Sequence, residues 1–169
     1  MTSMIQKLSL LSCLSLSIVA CSSVNLDNNA DKIQTQPTSP DKKQLITVHQ
    51  VDANGVGASI GTVSFQQTPK GLLITPALGK LSPGEHGFHI HENASCEAAE
   101  KEGKMGAALA AGGHLNPEKV AHHGTPLDGH LGDLPALTVN DKGFATTPVL
   151  APRLKLADIQ GRAIMIHAG

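Results

Sequence analysis

Residues 86–91 read His86-Gly87-Phe88-His89-Ile90-His91. In an extended strand, residues two apart point to the same face. His89 and His91 therefore present two imidazoles side by side, and Phe88 and Ile90 turn the other way into apolar packing. That places half of a metal site on a rigid element. Of the 9 histidines in the chain, all but His49 fall between residues 86 and 167.

On either side, short apolar runs are separated by Gly, Pro, Asn and Asp. Leu45 to Val51 alternates in part, and Gly61 to Gln67 is β-branched and aromatic. Pro69-Lys70-Gly71 reads as a turn, with Leu72 to Pro76 returning as its hairpin partner. Gly84 to His91 is the next strand. Leu137 to Val139 precedes an Asn140-Asp141-Lys142-Gly143 turn, Phe144 to Leu150 follows it, and Ala163 to His167 closes on a histidine. This spacing predicts an all-β antiparallel sandwich or barrel. A short helix is conceivable only between Cys96 and Ala111. The stretch from Glu92 to Leu134, rich in Gly, His and Ala, shows no clear strand. Connections of that length inside a compact domain usually carry function.

That stretch holds Gly112-Gly113-His114, His122-His123-Gly124 and His130-Leu131-Gly132-Asp133. One histidine from each cluster plus Asp133 supplies three imidazoles and a carboxylate, the donor set of a closed tetrahedral zinc site. The strand pair His89 and His91 needs further donors, for which His167 and His114 are candidates. Four imidazoles in tetragonal array suit Cu(II). Counting donors raises the option that His114 belongs to both sites, and bridging would require it to give up its second ring proton. His86 has the opposite parity to His89 and His91 and reads as a hydrogen-bonding brace, and His49 as a surface residue.

Composition narrows the alternatives. The net charge is −1, with no Trp or Tyr and Phe only at positions 65, 88 and 144, so nothing points to nucleic acid. Lys7 precedes an apolar stretch from Leu8 to Ala20 that is too short to span a bilayer. Its end, Ile18-Val19-Ala20-Cys21, resembles a bacterial lipobox, in which Cys21 is lipidated; an ordinary secretory signal cleaved near Ala20 is the other reading. Either leader exports the chain. Residues 1–21 are thus expected to be a signal peptide, 22–44 a polar tether, and 45–169 the one globular domain. Cys96 is then the only thiol of that domain.

Gly87-Phe88-His89-Ile90-His91-Glu92, Gly113-His114-Leu115-Asn116-Pro117, His130-Leu131-Gly132-Asp133-Leu134-Pro135 and Met165-Ile166-His167-Ala168-Gly169 together resemble the bacterial exported copper/zinc superoxide dismutases. The order and approximate spacing hold from about residue 45 onward. The resemblance implies a Greek-key β-barrel, also described as a flattened sandwich. It implies copper on His89, His91, His114 and His167, and zinc on His114, His123, His130 and Asp133, with His123 preferred to His122 because Gly124 and Pro126 follow it in register. It also implies dismutation of superoxide to dioxygen and hydrogen peroxide by a Cu(II)/Cu(I) cycle, with His114 as bridge and proton donor.

On the same resemblance Cys96 is half of an intrasubunit disulfide whose partner is absent from this chain. In the family the last strand, the active-site Arg and a glycine-rich electrostatic loop follow the stretch matched by Met165–Gly169, so the domain is expected to lack them, and Arg153 and Arg162 lie in segments that do not match the Arg motif. The expected location is periplasmic, with a lipid anchor in the outer membrane of a Gram-negative bacterium. The expected partners are superoxide and the membrane, and the family admits a homodimer. A non-catalytic copper- and zinc-binding lipoprotein, or an inactive remnant, is the alternative function.

Overall fold

The computed structural model describes residues 43–168. The expected leader with Cys21, the tether up to residue 42, and Gly169 lie outside the described residues. The chain forms β1 (Lys43–Asp52), β2 (Gly55–Thr68), β3 (Gly71–Leu78), β4 (Gly84–His86), β5 (Phe88–His91), β6 (Ala99–Lys101), β7 (Lys104–Gly106), β8 (Leu137–Val139), β9 (Val149–Ala151) and β10 (Ala163–Ile166). Since β1 starts at Lys43, the last two residues of the expected tether belong to the sheet.

β1, β2 and β3 form an antiparallel meander, and β9 returns beside β3 after a long connection. That non-consecutive neighbour is the Greek-key feature of an all-β sandwich or barrel. Thr68 pairs with Gly71 across the Pro69-Lys70 turn. Gly71 has φ +124°, and a Cβ there would meet the Ala151 carbonyl at 2.5 Å, so this corner accepts only glycine. The core is drawn from alternate positions of these strands: Val63 and Phe65 from β2, Leu72, Ile74 and Leu78 from β3, and Ala151 from β9.

Three local expectations differ from the structure. Residues 96–111 hold no helix beyond a 3-10 turn at Leu109–Ala111; β6 and β7 form a hairpin there instead. The 84–91 strand breaks at Gly87, whose carbonyl accepts the His167 N–H at 2.9 Å, so β4 pairs with β8 and β5 with β10. Phe144 to Leu150 makes only a bridge at Ala145 before β9 begins at Val149. Pro148 intervenes and has no N–H to give a ladder.

All four residues of β5 are buried. Phe88 and Ile90 face the core, and His89 and His91 lie beneath the long connection. One edge of β5 pairs with β10. The other is covered by the connection: Ile90 N–H donates to the Gly132 carbonyl (2.9 Å), Leu115 N–H to the Ile90 carbonyl (2.8 Å), and Gly132 N–H to the Leu115 carbonyl (2.8 Å). A Cβ at Gly132 would lie 2.2 Å from the Ile90 carbonyl, so glycine is what permits this approach. β1 and β10 stand at the borders of their sheets, with a cleft of about 680 Å³ between them lined by Ile46, Val48, Cys96, Arg162 and Ile164 among others. Cys96 is half-buried and forms no disulfide among the described residues.

Candidate metal centre

Backbone pairing sets where the candidate donors start. His89 bridges to Asp133, and His91 bridges to His114, each in antiparallel fashion. The loop residues are thereby locked to the strand residues before any side chain is considered. His167 follows β10, and its N–H bond to Gly87 carries it over the same face.

Two overlapping groups of donors result, each with its atoms within 4.8 Å of one another: His89, His91, His114 and His167; and His89, His114, His123 and Asp133. His114 stacks on His89 with ring centroids 4.0 Å apart and planes 17° apart. In the first group, His91 and His114 meet edge to face at 4.9 Å, as do His89 and His167. In the second, the Nδ1 atoms of His114 and His123 each lie 3.0 Å from Asp133 Oδ1 and 3.2 Å from each other. His130 is not in that group, but its Nδ1 lies 3.7 Å from the same oxygen. His122 is exposed and belongs to neither group.

Three imidazole nitrogens around one carboxylate oxygen is an arrangement that hydrogen bonding alone does not satisfy. A neutral ring has one N–H and one lone pair. His91 shows the consequence most clearly. Its Nδ1 donates to the Gly112 carbonyl at 2.9 Å, so its lone pair is on Nε2. That Nε2 is buried without a hydrogen-bond partner among the described residues, as are His89 Nδ1 and His130 Nδ1. Each unpartnered buried polar atom costs about 1–3 kcal/mol. Two of them, on His89 and His91, belong to one donor group, and the third, on His130, faces Asp133 of the other; such atoms fit bound cations, and imidazole and carboxylate are the donors that copper and zinc accept.

The electrostatics keep the rings ready to ligate. Burial, reinforced by the neighbouring imidazoles of His114, His167 and His123, pushes His89 down to about 3. Burial also lowers His114, against the opposing hydrogen bond to Asp133, and lowers His167, helped by His91 and His123. Neutral imidazole is the metal-binding form. Burial raises the Asp133 carboxyl. The Gly124 N–H, His114, His123 and His130 outweigh that, and the net value falls below the ordinary one.

Several supporting groups had no signature in the sequence. Glu92 Oε2 accepts the Gly113 N–H at 3.2 Å, and Arg162 Nη1 donates to the Glu92 carbonyl at 2.6 Å, fixing the approach to His114. Arg153 bonds three carbonyls of the 124–133 segment. His86 does brace the site: its Nδ1 lies 2.7 Å from the His167 carbonyl and its Nε2 2.8 Å from the Ser82 carbonyl. His49 is exposed, with Nδ1 3.0 Å from the Gly57 carbonyl.

Residues 59–169 match the family model described as "Copper/zinc superoxide dismutase (SODC)". The chain belongs to the copper/zinc superoxide dismutase family. Over 128 residues it is 55% identical to "Superoxide dismutase [Cu-Zn] 2" of Salmonella typhimurium, covering 75% of this chain and 74% of that one. Among solved structures, the Cu/Zn superoxide dismutase from Brucella abortus superposes with a TM-score of 0.74 at 45% identity, over 76% of this chain and 84% of that one. The monomeric copper, zinc superoxide dismutase from Salmonella enterica gives 0.70 at 52% identity with the same coverages. The copper/zinc superoxide dismutase family thus accounts for both the all-β architecture and the crowding of imidazoles on one face of β5.

Proposed function

We propose that the chain dismutes superoxide, with copper on His89, His91, His114 and His167 and zinc on His114, His123, His130 and Asp133. The observation that carries this reading is that two donor groups lie against each other and share His89 and His114, of which only His114 has a ring nitrogen within ion-pair distance of Asp133. His114 Nδ1 faces Asp133, so Nε2 is the nitrogen available to His89, His91 and His167. His123 is preferred to His122 because its Nδ1 reaches Asp133 Oδ1.

Bound copper supplies a one-electron couple between Cu(II) and Cu(I), and bound zinc a fixed positive charge. Two superoxide anions and two protons yield one dioxygen and one hydrogen peroxide. The residues of the chain control the protons. His91 is fixed as a lone-pair donor at Nε2 by its Nδ1 bond to Gly112, so it is not a proton source. His114 retains partial access to solvent, about 20% of its side chain. A proton taken at His114 Nε2 and passed to the newly formed peroxide would be general acid catalysis by the one ring common to the proposed copper and zinc sets. The alternative of a non-catalytic metal-binding lipoprotein draws no support from the relatives above.

The test uses the purified chain reconstituted with both ions. Copper and zinc are each expected at one per chain, with superoxide consumed far faster than by the buffer. His130→Ala should mainly release zinc, whereas His114→Ala should disturb both ions. Unchanged copper and zinc spectra in His114→Ala would rule out the bridge.

The leader supports an export reading: a Cys21 lipid anchor in the outer membrane, facing the periplasm. Palmitate labelling should disappear in Cys21→Ala, and its persistence would move the anchor elsewhere.

A further inference from the structure

Arg153 stands two residues beyond β9, half-buried. Its guanidinium does not serve its own turn. Nε donates to the Pro126 carbonyl, and Nη2 to the carbonyls of Gly129 and His130, all at 2.8 Å. Among the described residues it has no carboxylate within ion-pair distance. A full positive charge is thus directed at three neutral acceptors in one short segment, and such charge-assisted bonds are the stronger kind.

One of those acceptors leads directly to the candidate zinc donors. The peptide group joining Gly129 and His130 is bonded at both ends. Its carbonyl accepts from Arg153, and its N–H donates to Asp133 Oδ2 at 2.9 Å. The peptide dipole lies between a cation and an anion, each of which strengthens its bond to the other. Gly124 N–H donates to the same Oδ2 at 2.9 Å. With Oδ2 so engaged, Oδ1 is the oxygen left facing His114, His123 and His130. The segment has no slack to reach this arrangement otherwise: a Cβ at Gly129 would lie 2.4 Å from both Asp133 Oδ2 and Gly124 N.

We infer that Arg153 is a positioning residue for the zinc half of the centre, acting through the Gly129–His130 peptide on Asp133. This rests on the assignment of zinc to His114, His123, His130 and Asp133. Arg153 decides which carboxylate oxygen faces the ion and holds the turn that carries His130. A lysine cannot replace it, because one ammonium cannot span the Pro126 carbonyl and the Gly129 and His130 carbonyls as a planar fork does.

The test compares the full chain with Arg153→Lys and Arg153→Gln. Zinc affinity is read by chelator competition, Co(II) replaces zinc as a spectroscopic probe, and the copper half is followed by its Cu(II) resonance. Arg153→Gln should weaken zinc by about 10–100-fold, the usual effect of losing a group that orients a metal ligand. The cobalt bands should shift while the Cu(II) resonance holds its position. Arg153→Lys should recover only part of the affinity, and it settles the matter if the Gln variant does not fold. Zinc affinity and cobalt bands in Arg153→Lys equal to those of the unmodified chain would overturn the proposal. So would equal loss of zinc and copper in Arg153→Lys, which would make Arg153 a general support of the fold. Absence of a tetrahedral cobalt spectrum in the unmodified chain would instead overturn the zinc assignment on which the proposal rests.

Discussion

From Lys43 to Leu78 the chain runs in three strands joined by tight turns, and the backbone there pairs across the sheet almost throughout. From residue 92 to residue 134 it makes one short hairpin and one 3-10 turn, and the rest is held by side chains and a few isolated backbone bonds. The first region is fastened by apolar burial and a repeating ladder. The second lies against buried imidazole nitrogens that have no hydrogen-bond partner among the described residues, His89 Nδ1 and His91 Nε2 on β5 and its own His130 Nδ1, which a bound cation would join. One region therefore gets its order from its own periodicity, and the other would borrow it from a ligand.

The largest effect should come from the core of the first region. Phe65 on β2 is 2% exposed and packs among Val63, Leu72 and Ile74. Phe65→Ala should destabilise the metal-free protein by about 3–5 kcal/mol in urea titration, and added copper and zinc should not remove that difference. A difference that vanished on metal addition would mean that the two regions are not separately fastened.

Metal removal probes the second region. An ion held at 100 times its dissociation constant stabilises its site by about 2.7 kcal/mol. Chelation should therefore raise hydrogen exchange by about 100-fold in residues 112–134, with far smaller changes at Val63 and Ile74, because opening is local. Equal acceleration in both regions would show one cooperative unit instead.

Acid gives the most gradual effect, the smallest over any one pH unit. His89 is held down to about 3 in the fold against 6.5 when free. Its folded pKa is depressed, so between these values the unfolded chain binds the extra proton. The metal-free fold should therefore lose stability as pH falls below 6.5, by up to about 1.4 kcal/mol per pH unit from this one ring, and level off near 3. His89→Gln should flatten that slope. An unchanged slope would assign the acid sensitivity to other groups, of which His114 and His167 are the next candidates.

The same contrast governs how much was legible beforehand. The first region is plain in the sequence because period-two alternation and a Pro-Lys turn encode it locally. The parity of His89 and His91 against Phe88 and Ile90 was legible for the same reason. The hairpin of β6 and β7 was not: its strands are short and charged, and its turn residues are Glu102 (φ 54°) and Gly103 (φ 77°). Such turns usually carry Asn-Gly or Asp-Gly, and a Glu in the left-handed region has no sequence signature. The roles of Arg153 and Glu92 were equally hidden, since both act through backbone groups far along the chain.

The pairing of His89 with Asp133 and of His91 with His114 sets a rule for length variation. Ligand positions here are counted in strand repeats. A residue inserted between Phe88 and His91 turns one or both imidazoles to the opposite face and breaks the register with the loop. Residues inserted at Glu102-Gly103 only lengthen an exposed hairpin tip that touches neither pairing. The fold can thus grow a longer arm beside the candidate metal centre without moving it.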